Sequence, residues 1–383
     1  MADNLIRFLK RKDYEMINDN IGHGSFGKTV LLRDPYIDEL FVAKKYDPEY
    51  EEDRQEFYTN FLQEIKIMYK LNHRNVVRIY NYYAYSDQFT GYILMEYIDG
   101  VDIEHYIKQL DIWDLDHLDD AFRQLIEGFY YIEGQGIIHR DIREGNILVN
   151  KDGIVKIIDF GLGKTFKPVE RGSADSRVAD INRFGLDKLP NEYYEGRYTS
   201  RTDMFYLAEL YHRLLRQSGY LDEFSYGEIL TKMMEEDEEH RFASFTEVKN
   251  AIEAKRFSAM EISDEDKKIY QSFANAICGA VSCYTSYAKE YIDNVTEFSE
   301  KIKSVIEKNC YENIVQNNAD LIQTIVKSLN FKYYTYKEIL VEDIKQFYSW
   351  FQILSEEEKQ RVLNNIIAKM STINTTIEDE LPF

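Results

Sequence analysis

The sequence predicts an α+β chain with a β-rich front, a mostly helical body and an all-α C-terminal domain. Short β-type runs such as "KTVLLRD" and "ELFVAKKY" are separated by a turn in the front. Between residues 53 and 71 one stripe of apolar residues has the period of a helix: Phe57, Phe61, Ile65 and Met68. No proline occurs from residue 191 to residue 381, as is typical of helical chains, because proline removes a helix hydrogen bond.

The body and the tail follow the same reasoning. A helical pattern runs from Asp114 to Glu133 and ends at "GQG", and two short strands, "NILVN" and "GIVKIID", surround a "KDG" hairpin turn. We place a domain boundary near residues 256–262. The tail, residues 262–383, is predicted to hold about four or five helices. Its longest apolar stripe comprises Ile269, Phe273, Ile277, Val281, Tyr284, Tyr287 and Tyr291.

Composition and charge limit the partners and the cellular locations that we expect for this chain. The chain has 383 residues, 44% of them hydrophobic and 30% charged, which suffices for a large buried core. A net charge of −21 disfavours nucleic acid or an anionic membrane as the main partner and weakly favours a basic protein substrate. Three scattered cysteines form neither a disulfide framework nor a zinc motif. The N-terminus lacks the apolar core of a secretion signal, and no apolar run reaches membrane-spanning length, so we expect a cytoplasmic protein.

A glycine motif stands at the start of the β-rich front. Gly22, Gly24 and Gly27 in "IGHGSFGKTV" have the spacing G-x-G-x-x-G, which fits a dinucleotide fingerprint, a plain turn or a phosphate-covering hairpin. The dinucleotide version needs a helix directly after the glycines. Here β-prone residues follow, which favours a β-hairpin whose backbone amides approach phosphate oxygens.

Downstream residues add charge and metal chemistry. Lys44 and Lys45 in "VAKK" point to opposite faces of a strand, so only one of them can face a pocket. In "IIHRDIREGNILV", Asp141 is placed to accept a proton and Asn146 offers a neutral oxygen ligand. Asp159 in "KIIDFGLGK" ends a short apolar strand, where a carboxylate suits Mg²⁺.

Together these motifs resemble the eukaryotic-like protein kinase family, in its bacterial Ser/Thr type. The matching elements are G-x-G-x-x-G, V-A-x-K ending at Lys45, H-R-D-x-x-x-x-N from His139 to Asn146, and D-F-G from Asp159. The resemblance extends to about residue 256. It implies a bilobal kinase fold, with an N-lobe over about residues 14–96 and a C-lobe over about residues 99–256, ahead of the helical tail.

The resemblance also implies roles and cofactors. ATP and Mg²⁺ are the expected cofactors, with Asp141 as catalytic base, Arg143 beside it, Lys45 on the phosphates and paired with Glu64, and the metal held by Asn146 and Asp159. The nucleotide would also contact Ile21, Gly22, Gly24, Ser25, Phe26, Gly27, Ala43, Met95, Glu96 and Ile98. Arg140 implies control by phosphorylation, and the candidate acceptors are Thr165, Ser173 and Ser176.

Three positions bear on how closely the chain follows the kinase pattern. Arg143 stands where the family usually has lysine, and a planar guanidinium does not replace an ammonium neutrally. Asp203 is implied to be the buried anchor of the helix that follows the activation segment, which "YTSRTDMFYLAEL" resembles. Asn191 occupies the position of the glutamate that normally pairs with Arg241, with Glu192 one residue late, which puts that ion pair in doubt.

The sequence leaves several functions open. The first is an active kinase that phosphorylates Ser/Thr in proteins, and itself. The alternatives are a nucleotide-binding pseudokinase scaffold, a tyrosine or dual-specificity kinase, and a small-molecule phosphotransferase. The helical tail is predicted either to regulate the kinase or to dock a substrate or partner.

Overall fold

The computed structural model describes residues 12–24, 27–46, 54–111, 115–159, 190–286 and 289–376. The chain divides into two compact units, Met1–Val248 and Lys249–Phe383. The division falls within one helix, ahead of the range 256–262 predicted from the sequence. The boundaries of the two predicted domains therefore stay a prediction, and each unit is described by itself.

The first unit begins with a five-stranded antiparallel sheet. Its strands are β1 (Glu15–Gly24), β2 (Gly27–Asp34), β3 (Glu39–Tyr46), β4 (Ile79–Tyr85) and β5 (Thr90–Glu96), in the order β1-β2-β3-β5-β4. The helix α1 (Arg54–Met68) carries the predicted apolar stripe, of which Phe61, Ile65 and Met68 are buried, whereas the Phe57 side chain lies outside the described part. Phe61 stacks on Tyr46 of β3 with ring centroids 4.8 Å apart, which places α1 beside that strand.

The rest of the first unit is mostly helical. It contains β6 (Gly100–Asp102), α2 (Ile103–Gln109), α3 (Leu115–Gly134), β7 (Ile147–Asn150), β8 (Val155–Ile157), α4 (Asn191–Tyr194), α5 (Ser200–Ser218), α6 (Gly227–Met233) and α7 (Phe245–Ser258), which crosses the unit division. The predicted hairpin is confirmed, because β7 and β8 pair antiparallel around a turn with Gly153 in the left-handed region. In the core of the first unit, aromatic pairs such as Phe122–Tyr211 and Phe129–Phe245 join α3 to α5 and to α7.

The second unit has its own apolar core. It contains α8 (Asp264–Ala280), β9 (Val281–Tyr284), α9 (Val295–Lys308), α10 (Asn318–Ile322), β10 (Phe331–Tyr333), α11 (Val341–Ile353) and α12 (Glu356–Ser371). Four phenylalanines fill its centre, from α8, α9 and α11, with Phe273 and Phe347 stacked at 3.8 Å.

The prediction of an all-α tail needs one correction. The apolar stripe is helical through Ile277, but the helix ends at Ala280 and the next four residues form β9. This strand pairs antiparallel with β10, in a register that places Tyr284 opposite Phe331. A short apolar run such as "VSCY" fits a strand and a helix equally well by periodicity, and its distant partner strand decides between them.

Candidate active site

The alternation of strand β3 decides which of the two lysines faces the cleft. Ala43 and Lys45 lie on one face of the sheet, because residues two apart point the same way. Ala43 is buried there in a small apolar cluster with Phe41 and Leu94. Lys45 stands opposite Tyr92, which packs against the same cluster. Lys44 therefore points to the other face, toward α1.

Lys44, not Lys45, is the lysine that meets the acidic residues. Its Nζ atom lies 2.6 Å from Asp159 Oδ1 and 3.6 Å from Glu64 Oε1. The predicted pairing of Lys45 with Glu64 is thus wrong by one residue, because Glu64 pairs with Lys44. The same shift removes Ala43 from the predicted nucleotide contacts and places Val42 on the cleft face, opposite Met95 of β5.

Burial and mutual attraction shift the pKa values of Lys44 and Glu64, which meet Asp159 in this cluster. Burial opposes the charged form of the Lys44 amine, but attraction to Glu64 and Asp159 outweighs this, so the pKa of Lys44 is raised. Burial raises the pKa of Glu64, and the lysine partly offsets that rise. At neutral pH the amine is therefore a fixed positive charge in a poorly solvated place, where it acts strongly on a nearby anion.

The catalytic loop brings the remaining predicted residues together. Asn146 Nδ2 donates to the Asp141 carbonyl at 2.9 Å and to Asp141 Oδ2 at 2.7 Å. The other carboxylate oxygen, Oδ1, is buried and accepts no hydrogen bond from the described residues, while Arg143 Nε lies 3.4 Å away. The Asp141 backbone amide donates to His139 Nδ1 at 3.3 Å. Asp141 thus has one oxygen held in place and one available for a hydroxyl proton.

Two residues of the site have left-handed backbones. Arg140 has φ 67° and Asp159 has φ 61°, and neither is glycine. Such conformations are strained in residues with a Cβ and persist only where the surroundings hold them. Part of that support comes from Asp203 at the start of α5, a nearly fully buried acid. Its Oδ2 accepts from the His139 amide at 2.7 Å and its Oδ1 from the Arg140 amide at 3.0 Å.

Asn146 and Asp159 are suited to a divalent cation. Both offer oxygen atoms, which hard cations prefer. Their backbones are linked, because the amide of Ile158 donates to the Asn146 carbonyl at 2.9 Å. The His139 Nε2–H group also donates to the Ile158 carbonyl at 3.1 Å. Two side-chain ligands leave most positions of an octahedral ion to water and to phosphate oxygens, which is how Mg²⁺ is usually bound.

The remaining predicted nucleotide contacts lie in the glycine hairpin and in the chain between the lobes. Gly24 pairs with Gly27 where β1 turns into β2, and Ile21 lies on β1. Ser25 and Phe26 lie outside the described residues. Glu96 ends β5, and its amide donates to the Arg78 carbonyl at 2.9 Å, while Ile98 follows in the connecting chain. Except for Ser25 and Phe26, the predicted nucleotide contacts thus have described positions, of which Ala43 and Lys45 lie on the face of β3 opposite to that of Lys44.

A family model described as "Protein kinase domain" matches residues 16–344. The chain belongs to the protein kinase family. The matched segment includes the sheet, the catalytic loop and Asp159, and it extends beyond residue 256, where the motif resemblance ends. The fold is therefore a kinase fold, with a β-sheet N-lobe and a helical C-lobe.

Individual relatives of this kinase are moderately similar. Serine/threonine-protein kinase ppk11 of Schizosaccharomyces pombe is 37% identical over 37% of this chain and 44% of its own length. A probable serine/threonine-protein kinase MRK1 homolog of Encephalitozoon cuniculi is 33% identical over 39% of this chain and 45% of its own. The chain thus spans less than half the length of these curated relatives. The solved kinase domain of Mycobacterium tuberculosis PknI, crystallised as a mutant, has a TM-score of 0.46 and 16% identity, covering 63% of this chain and 95% of that one.

The α-helices among the described residues range in length from 4 residues in α4 to 20 residues in α3. The longest described one, α3, has 20 residues and includes several acidic side chains. Among the described residues, no helix is both long and apolar enough to span a bilayer.

The doubtful ion pair of the C-lobe is present with a shifted partner. Arg241 Nη1 lies 2.6 Å from Glu192 Oε1, and neither side chain is exposed to solvent. Asn191 occupies the position where the motif has its glutamate. Its backbone amide donates to the Glu236 carbonyl. The acid is therefore one residue later in the sequence, in the short helix α4.

The predicted regulatory residues divide into two groups. Arg140 is buried, and its guanidinium carbon lies 5.5 Å from the centre of the Tyr198 ring. Thr165, Ser173 and Ser176 lie outside the described residues, so their role stays a prediction.

Sequence reasoning missed two contributors to the site of this kinase. Lys156 Nζ lies 2.7 Å from Glu96 Oε1 and joins strand β8, which leads to Asp159, to the end of β5. Its signal was the alternation in "VKI", where both neighbours are buried and the lysine points the other way. The second is Tyr198, whose hydroxyl donates to Asp203 Oδ1 at 2.9 Å. Nothing in the sequence distinguished this tyrosine from the other 30.

Proposed function

We propose that this chain transfers the γ-phosphoryl group of ATP to serine and threonine hydroxyls of proteins, itself included. The observation that carries the proposal is the meeting of Lys44 Nζ with Glu64 and Asp159, next to the Asp141–Asn146 pair. The Ser/Thr class is supported by the names of the relatives, which are serine/threonine-protein kinases. The net charge of −21 supports basic residues around the target hydroxyl.

The roles of the residues follow from their placement. Asp141 Oδ1 would accept the hydrogen of the target hydroxyl, while Asn146 keeps the other oxygen oriented. Lys44 would hold the negative phosphates, and Glu64 keeps its amine in the cleft. Arg143, with its guanidinium near Asp141 and partly exposed, would neutralise charge at the transferring group. Such catalysis rests on positioning and on preorganised charge.

Asn146 and Asp159 would hold Mg²⁺ together with ATP. When bound, Mg²⁺–ATP supplies the transferable phosphoryl group and neutralises part of its charge. The fit rests on the oxygen donors of both side chains and on the hydrogen bond that links their backbones. The glycine hairpin would cover the phosphates, and the adenine would lie between Val42, Met95 and the chain from Glu96 to Ile98.

Substitution of the two aspartates tests this function. We expect the Asp141→Asn variant to lose about 100-fold or more of kcat, since a general base contributes that much. Asp159→Asn should lose as much, because a neutral amide attracts the cation far less than a carboxylate does. The measurement is transfer of labelled phosphate from ATP and Mg²⁺ to the chain itself and to a basic protein, followed by phosphoamino acid analysis.

The controls separate the alternatives. Wild-type protein that binds ATP–Mg²⁺ in a thermal-shift assay but labels no substrate points to a pseudokinase scaffold. Label on tyrosine alone points to a tyrosine kinase. Equal labelling by the wild type and both variants contradicts the proposed roles of the two aspartates.

For the helical unit, Lys249–Phe383, we propose docking of a protein substrate or regulator. Its described residues form one buried apolar cluster, and four large side chains on its surface are exposed: Tyr311, Leu329, Tyr336 and Ile353. We expect Tyr336→Ser and Ile353→Ser to leave transfer to a short generic peptide unchanged and to lower transfer to the whole protein substrate by about tenfold, since apolar anchors carry much of docking energy. Steady-state kinetics on both substrates checks this. Equal loss on the peptide would contradict docking.

A further inference from the structure

Tyr198 lies between α4 and α5, next to the catalytic loop. We propose that Tyr198 is a positioning residue for phosphoryl transfer, which couples the segment after Pro190 to the backbone of Arg140 and Asp141. The inference rests on the proposed function and adds a residue that the kinase motifs do not contain.

The first contact runs through Asp203. This carboxylate is buried and takes three donors: the amides of His139 and Arg140, and the Tyr198 hydroxyl. Tyr198 and the Arg140 amide share the same oxygen, Oδ1. The tyrosine therefore helps to orient the carboxylate that holds the loop. Hydrogen bonds to an ionised acceptor are stronger than neutral ones, so this bond constrains the carboxylate more than an ordinary one.

The second contact is direct. The guanidinium carbon of Arg140 lies 5.5 Å from the centre of the Tyr198 ring, within the range of a cation–π interaction. Arg140 has φ 67°, so its backbone needs outside support, and the next residue is Asp141. Tyr198 thus supports Arg140 in two ways, through its hydroxyl by way of Asp203 and through its ring.

The position of Tyr198 in the chain explains the coupling. The amide of Arg197, the preceding residue, donates to the Glu192 carbonyl at 2.9 Å. Glu192 in turn is held by Arg241. The Tyr198 ring also stacks on Tyr206 of α5, with ring centroids 6.0 Å apart. A change in the segment from Pro190 to Arg197 would therefore displace the ring and the hydroxyl that hold the loop.

Ionisation of Asp203 gives a readout beyond rate. Burial raises the pKa of Asp203, and attraction to His139 and the hydrogen bond from Tyr198 oppose the rise. Glu133 of α3 is a further charged group that interacts with it, and Arg140 contacts it through the backbone amide. Protonation of Asp203 weakens the acceptor of the loop amides, so activity falls as pH drops through its pKa. Without the tyrosine hydroxyl that pKa is higher, so the acid limb of the pH profile moves to higher pH.

The test compares Tyr198→Phe with Tyr211→Phe. The control also loses a buried tyrosine hydroxyl, which donates to the Leu118 carbonyl of α3 at 2.6 Å rather than to the loop anchor. We expect Tyr198→Phe to lose about tenfold in kcat, equivalent to about 1.4 kcal/mol, with KM for ATP unchanged and the acid limb shifted upward. Tyr211→Phe should lower the melting temperature at least as much and keep kcat and the pH profile. Tyr198→Leu, which also loses the ring, should fall below Tyr198→Phe.

Two results overturn the proposal. One is a Tyr198→Phe enzyme with wild-type kcat and an unmoved acid limb. The other is an equal loss of kcat in Tyr211→Phe, which reduces the effect to general stability. Inactive wild-type protein overturns the proposed function instead, so the two failures are distinguishable.

Discussion

Lys44→Met is expected to lower kcat/KM for phosphoryl transfer by about 100-fold or more, whereas Lys45→Met leaves it nearly unchanged. Lys44 Nζ is the positive charge 2.6 Å from Asp159 Oδ1, in a place where preorganised charge acts strongly. Its removal also leaves Glu64 and Asp159 without their shared partner. Steady-state transfer to a protein substrate, measured at several ATP concentrations, checks both variants.

The two lysines form a matched pair, since they are adjacent, carry the same charge and lie on one strand. Circular dichroism and melting curves establish that both variants fold. Loss of activity in Lys45→Met with retention in Lys44→Met is the outcome that would refute the assignment made from the strand faces.

Breaking the Glu192–Arg241 pair is expected to cost about 3–5 kcal/mol of the free energy of unfolding, because a buried charge is left without its partner. Arg241 also donates to three carbonyls, those of Glu235, Glu236 and Arg201. Arg241→Lys keeps the charge but loses the planar fork that makes these bonds, so it should destabilise nearly as much as Arg241→Met.

Thermal unfolding measures the effect, with an expected fall of roughly 10 °C in melting temperature. The control is Lys108→Met, which breaks the exposed pair with Glu104 and should change the melting temperature little. Combining Glu192→Gln with Arg241→Met should cost less than the sum of the single losses. Additive losses would mean that the two side chains do not act as a pair.

The motifs were sufficient to predict the kinase fold. Asp141, Asn146, Asp159 and Glu64 were each identified by their spacing, and the structure joins Glu64 and Asp159 through Lys44 and joins Asp141 to Asn146. Their catalytic and metal-binding roles stay predictions. Spacing is a property of the chain alone, so it can be read without knowledge of the residues that each side chain contacts.

The sequence was insufficient where contacts between residues far apart in the chain determine the local structure. "VAKK" offers two lysines, and only the register of β3 against β5 shows which face each takes. "LPNE" offers an acid one residue late, and only α4 shows that it reaches Arg241. "VSCY" becomes a strand because β10, far along the chain, pairs with it. Sequence periodicity contains none of these three contacts.

The hydrogen bond between Ile158 and Asn146 connects two residues of the C-lobe, whereas the ion pair between Lys44 and Asp159 connects the C-lobe to the N-lobe. Asn146 and Asp159, the proposed cation ligands, both lie in the C-lobe, and this bond connects the backbone next to Asp159 with that of Asn146. The amine of Lys44 reaches Asp159 from the N-lobe sheet. A hinge motion that moves the sheet away from the C-lobe would therefore break the Lys44–Asp159 ion pair and leave the Ile158–Asn146 bond intact.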